Sequence, residues 1–172
     1  ILKHKDIGAE LFEFLESNYG KVRMLEEKTM GRSRAEVVMI TQDSIYGIEI
    51  KSDADTYVRL ERQVKDYNKY FDYNYVVIGT SHAAHIKEHV PDSWGIITVE
   101  RAGHGLDFYE FRKPQVNLKM DWKKKMSIMW RPELAHIQEL NGLPKYKNKS
   151  KDFVVDILLT KVPEETLRIQ MC

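Results

Sequence analysis

Cysteine is nearly absent from these 172 residues: the single one, Cys172, stands at the end of the chain. One thiol cannot form an internal disulfide or a cysteine-based zinc site. No stretch is long and apolar enough to span a bilayer, and the N-terminal "ILKHKDIGAELFEFLESNYG" lacks the continuous apolar run of a secretion signal. A soluble, cytoplasmic protein is therefore expected. Also missing are a glycine-rich phosphate loop, a nucleophile elbow and a cysteine–histidine constellation, as are repeats and low-complexity segments.

What the chain does have is unevenly placed charge. The formal net charge is only +1, yet between Arg112 and Lys151 eleven lysines and arginines face just Asp121, Glu133 and Glu139. That segment carries an excess of eight, so the remainder is net negative by seven. An acidic body with a basic segment suits a protein that meets polyanions with one part and cations with another, and equally suits a solvated helical surface.

Periodicity predicts an α/β protein. Ile7, Leu11, Phe14 and Leu15 form one stripe of a helix over 3–18, which Gly20 ends. "VRMLEE", "AEVVMI" and "IYGIEIK" read as strands, the last two joined by the turn "TQDS". Tyr57, Leu60, Val64, Tyr67 and Phe71 recur at helical spacing, with the Ser and Asp residues of "SDAD" in front as caps. "YVVIGT" is a buried strand, "SHAAHIKEH" a short helix closed by Pro91, and "WGIITVE" pairs with "LDFYEF" across "AGHG". Beyond Pro114 the pattern is helical, near 120–140, 150–160 and 164–171.

The hairpin carries an unusual charge pattern. A turn centred between Gln42 and Asp43 pairs residues whose numbers sum to 85, which sets Glu36 opposite Glu49 and Arg34 opposite Lys51. The other face would be apolar, with Ala35, Val37 and Met39 against Tyr46, Ile48 and Ile50, and a one-residue slip would misalign these pairs. Carboxylates directly opposite lie about 5 Å apart at Cβ and repel. Either one of them is protonated, or cations sit between them: Arg34 and Lys51 in an ion-pair cluster, or a hard divalent ion. On the next helix Arg59, Gln63 and Tyr67 recur every four residues on one face.

The acid of the first helix, the acid of the first hairpin strand, "EIK" on the next strand and "RQVKDY" as Gln-x-x-x-Tyr together resemble the PD-(D/E)XK nuclease superfamily, over about residues 3–112. The Gln-x-x-x-Tyr element is similar to that of RecB-type nucleases, and the chain looks like a small bacterial nuclease-like family. The resemblance implies a restriction-endonuclease-like α/β/α core over 1–114, followed by a helical C-terminal appendage over 115–172. It implies a Mg²⁺- or Mn²⁺-dependent deoxyribonuclease of repair, processing or defence, or, as the alternative, an inactive nuclease-derived nucleic-acid-binding protein. Glu36, Glu49 and the Ile50 carbonyl would hold the metal. Lys51 would orient water or offset phosphorane charge, with Gln63 and Tyr67 positioning it. Glu10 would be the helical acid, because it shares the Ile7/Leu11 face; Glu27 is its rival. Where the family pattern has Asp, this chain has Glu36, one methylene longer.

Arg34 and Arg59 are expected phosphate contacts. "MWRPELAHIQELNGLPKYKNKSKDFVVDILL" is similar to a SAP-type helix-loop-helix, whose Lys145, Lys147, Lys149 and Lys151 would meet DNA phosphates; a helical cap over one sheet edge fits as well. DNA is the expected partner, no membrane is, and a homodimer is left open. His82, His85 and His89 share one face of the short helix, with no carboxylate evident to complete a metal site.

Overall fold

A computed structural model describes residues 4–52 and 57–172. The chain forms α1 (His4–Tyr19), β1 (Arg23–Met30), β2 (Ser33–Ile40), β3 (Ile45–Lys51), α2 (Leu60–Tyr70) and β4 (Tyr73–Gly79). A 3₁₀ turn (Thr80–His82) and the one-turn α3 (Ala83–Ile86) lead to β5 (Gly95–Ala102) and β6 (Gly105–Arg112). The helical remainder is α4 (Trp122–Ser127), α5 (Arg131–Leu140), α6 (Lys151–Lys161) and α7 (Glu164–Gln170). The α/β class and the C-terminal helical region are as expected. The first strand runs on to Met30, and the helix expected near 120–140 is two helices, because Trp130 is extended and Pro132 follows it.

The six strands lie in sequence order. β1–β2–β3 is an antiparallel meander, β3–β4–β5 are parallel, and β6 returns antiparallel. The register of the β2–β3 hairpin is the expected one: Ile40↔Ile45, Met39↔Tyr46, Val38↔Gly47 and Val37↔Ile48. Its turn closes with Thr41 N–H donating to the Ser44 carbonyl.

The sheet separates two cores. On one side Ile7, Leu11 and Leu15 of α1 cover Val37, Met39, Ile48, Ile50, Tyr75, Val77, Ile97 and Val99. Ala35, expected with these, joins the opposite core instead. That core unites Val38, Ile40 and Ile45 with Leu60, Val64, Tyr67 and Phe71 of the α2 region. It also takes in Met126, Leu134, Ile137, Val154, Leu158 and Leu167 of the C-terminal helices.

Among the polar links that fasten the C-terminal region are those of Asn117 and Lys125. Asn117 donates to the carbonyls of Asn68 and Phe71, at 2.5 and 2.8 Å. Lys125, fully buried within a run of three lysines, reaches both carboxylate oxygens of Asp72 at 2.9 and 2.8 Å. Asp72 also accepts from Ile45 N–H at 2.8 Å, so one carboxylate joins the start of β3, the end of α2 and α4. The proposed caps of α2 within 53–56 lie outside the described residues; Arg59 is the N-cap and makes no side-chain capping bond.

Candidate active site

The site begins where the β2–β3 ladder ends. Beyond Val37↔Ile48 the next pair in register would be Glu36 and Glu49, but a tyrosine stands between the strands there. The Tyr67 hydroxyl accepts from Glu36 N–H at 3.1 Å and donates to a Glu49 carboxylate oxygen at 2.6 Å, with the Ile48 carbonyl at 3.2 Å. A hydroxyl has one proton, and the short bond to a carboxylate is the stronger claim on it. Gly47 makes room for this insertion. A Cβ there would stand 2.2 Å from the Phe71 ring and 2.7 Å from that of Tyr67.

One turn earlier on α2, Gln63 bridges the two charged residues of β3. Its Oε1 accepts from Lys51 Nζ at 2.8 Å, and its Nε2 donates to Glu49 Oε1 at 3.3 Å. Lys51 Nζ is itself 3.9 Å from Glu49 Oε1. The i, i+4 spacing of Gln63 and Tyr67 therefore has a function: one helix face holds both oxygens of one carboxylate. Glu49 and Lys51 are only 1% and 6% exposed. Burial is the largest influence on Glu49 and raises its pKa from the ordinary 4.5 to about 7. Tyr67 and Lys51 pull it back down, while Glu36 pushes the same way as burial.

A cavity of about 230 Å³ opens over this network, lined by His4, Arg32, Ser33, Arg34, Glu36, Glu49, Lys51, Arg59, Arg62 and Gln63. Four arginines and Lys51 thus surround two carboxylates, and His4 Nδ1 lies 3.3 Å from Glu36. The cavity sits at the carboxyl end of β3, beside its parallel neighbour β4, where open α/β sheets leave a crevice. A larger open cleft of about 680 Å³ lies by the β2–β3 turn and Cys172. It holds no comparable pairing of buried charges.

Seven expected site residues meet here: Arg34, Glu36, Glu49, Lys51, Arg59 and Gln63 on the cavity wall, with Tyr67 directly behind Glu49. Ile50 points its side chain into the α1-side core, so its main chain alone can serve the cavity. Arg34 is not laddered to Lys51; it lies 3.7 Å from Glu27. Glu10 does not line the cavity. Its carboxylate accepts from Leu106 N–H at 2.7 Å, at the start of β6. His4 of the same helix occupies the place expected of the helical acid. Sequence reading also passed over Arg32, Ser33 and Arg62, although Arg62 lies three residues after Arg59 on the same helical surface. Lys145, Lys147 and Lys149 are exposed in the α5–α6 loop and are not part of the cavity wall.

The histidine cluster differs from expectation. Glu88 joins His85 and His89, with one ligand atom of each lying within 4.8 Å of the others. The carboxylate missing from the sequence pattern is thus present: His85, Glu88 and His89 stand at i, i+3 and i+4, a spacing that brings side chains together on a helical turn. All three are exposed, and Tyr57 stacks on His89 with centroids 4.3 Å apart.

Residues 2–171 match the family model described as bacteriophage P4 protein cII. A solved structure of Pyrococcus furiosus SfsA in complex with Ca²⁺ is similar at 14% identity and a TM-score of 0.37. The match covers 61% of this chain and 59% of that one. No curated protein matches.

Proposed function

The chain belongs to the family of bacteriophage P4 protein cII, and we propose that it is a divalent-metal-dependent nuclease hydrolysing DNA phosphodiesters, of the PD-(D/E)XK type. The observation that carries this reading is the burial of Glu49 and Lys51 side by side at the end of β3. Gln63 and Tyr67 clamp Glu49 where the hairpin opens toward Glu36. An ion pair kept only for stability gains little from such burial, since desolvation offsets the attraction.

The donor set suits a hard cation. Glu36, Glu49 and the Ile50 carbonyl supply oxygen, and His4 can add an imidazole. A cation would also relieve the repulsion between Glu36 and Glu49. When bound, the metal supplies Lewis acidity toward a phosphate oxygen and acidifies a water. The chain's own groups do the rest. Tyr67 and Gln63 fix the orientation of Glu49. Gln63 holds the Lys51 ammonium at the cavity wall, where it can neutralise charge that develops on the phosphate only in the transition state. Arg32, Arg34, Arg59 and Arg62 surround the opening and suit the phosphates on either side of the scissile one.

The test is cleavage of plasmid and single-stranded DNA with Mg²⁺ or Mn²⁺, for wild type and Lys51→Ala. The variant should lose turnover while keeping metal and DNA affinity, because its group acts mainly in the transition state. An active Lys51→Ala enzyme removes Lys51 from the mechanism. A wild type that binds DNA and never cuts it leaves the alternative of a nuclease-derived binding protein, which the longer Glu36 side chain in place of Asp would favour.

A further inference from the structure

We propose that Trp130, with Lys28 and Lys151, forms a binding site for single-stranded DNA outside the cavity. The proposal rests on the nuclease reading for the identity of the polyanion. Trp130 is 65% exposed, whereas Trp94 is fully buried. Tryptophan is highly buried on average, so so large an exposed ring on a basic surface calls for a partner. The Lys28 ammonium lies 4.7 Å from the Trp130 ring centroid and 3.4 Å from the Ile128 carbonyl. Lys151 donates to the Ser127 carbonyl at 2.6 Å. Two ammonium groups, one from β1 and one from the start of α6, thus converge on the single turn Ser127–Trp130.

Their crowding has a measurable sign. Lys151 is lowered below the ordinary lysine range, first by burial and then by the charge of Lys28. A phosphate between them would relieve that repulsion, and each ammonium has three donors, more than its carbonyl uses. Asp152 and Glu133 offset part of that repulsion at Lys151. Arg131 donates to the carbonyls of Tyr146 and Lys149, so it shapes the lysine loop beside the patch. Glu133 is held by Arg23 and by the Trp130 N–H, through 3.1 and 3.0 Å bonds.

An aromatic ring beside paired ammonium groups is what one nucleotide of a single strand requires: a face for the base and charge for the phosphate. Paired bases in a duplex interior have no free face to offer. Through Lys28 the patch is tied to the strand next to that of Glu36. Lys28 pairs with Ala35 across β1–β2, so it stands one strand, about 5 Å, and one residue from Glu36. A strand stacked on Trp130 can therefore lead into the carboxylates.

The experiment is binding of fluorescent dT20 and of a 20-base-pair duplex by the full chain in EDTA, where cleavage is blocked. Trp130→Ala keeps the backbone N–H of the helix cap, and its melting temperature is checked against wild type. Its affinity for dT20 should fall about tenfold or more, with Trp130→Phe restoring most of the loss and duplex affinity little changed. Lys28→Gln with Lys151→Gln should lower the salt slope on dT20 by about 0.7, the share of the one phosphate between them. The double variant also decides the matter if Trp130→Ala is unstable. Unchanged dT20 binding in both variants, or equal losses on single strand and duplex, would overturn the inference and leave the nuclease reading standing. A wild type that neither binds nor cuts DNA would remove both.

Discussion

The burial of Glu49 has a price in stability that can be measured. Its pKa stands at about 7 in the folded protein against an ordinary 4.5. Between those values the folded chain holds a proton that the unfolded chain has released, so stability falls as pH rises through the window. The loss is absent below 4.5 and complete above about 7. At about 1.4 kcal/mol per pH unit the gap amounts to roughly 3 kcal/mol. Glu49→Gln keeps the shape and an oxygen for Tyr67, while removing the charge that burial disfavours. In EDTA at pH 8 the variant should therefore be more stable than wild type by up to that amount, or roughly 6–12 °C in melting temperature. The advantage should shrink toward zero at pH 4.5. Thermal denaturation of both proteins at pH 4.5, 6 and 8 measures it directly. A variant less stable than wild type at pH 8, or a difference independent of pH, would refute the reasoning. It would mean that Lys51 and Tyr67 hold the carboxylate ionised without strain, as a closed ion-pair cluster.

Mn²⁺ at a hundredfold excess over its dissociation constant should stabilise wild type by about 2.7 kcal/mol. Glu36→Gln should lose most of that increment without melting lower in EDTA; thermal scans with and without the ion check both, and a wild type indifferent to divalent ions would sink the metal site. Lys125→Met should cost on the order of 3–5 kcal/mol by leaving Asp72 buried without its closest cation. Urea denaturation reads that cost, and a near-neutral result would show that Arg168, 3.7 Å from Asp72, suffices.

The hairpin register was legible because apolar alternation admits only one alignment. Tyr46, Ile48, Val37 and Met39 reach their core only when the numbers sum to 85. The pairing of Gln63 and Tyr67 on one helix face was legible for the same kind of reason, a fixed period. The helical acid was not. Periodicity gives the face of α1 but not the height along it, and Glu10 lies nearly two turns from His4, far enough to meet β6 instead of the cavity. Ala35 changed sides for want of a large side chain to hold it. The strands part at Tyr67, where alternation no longer binds them. Lys125 was hidden in a run of three lysines, where composition suggests solvent and only the position of Asp72, 53 residues away, makes one of them core. Glu88 was legible by the same helical spacing, which sets it beside His85 and His89, but a pattern of histidines alone does not show it.

That separation in sequence bears on how the protein is made. At ribosomal rates of about 5–20 residues per second, Lys125 follows Asp72 by roughly 3–10 s. Throughout that interval the nascent sheet has a carboxylate at the foot of β4 with no lysine to meet it. The apolar flank destined for α4 to α7 is also uncovered. The strands bearing Glu36, Glu49 and Lys51 are already synthesised, while the helices that complete one of their two cores are not. Emerging chains are then natural clients for chaperones, and ribosome-stalled fragments ending before Lys125 should be protease-sensitive where the finished protein resists. The helices that close the second core arrive with the last third of the chain, well after the residues of the cavity itself.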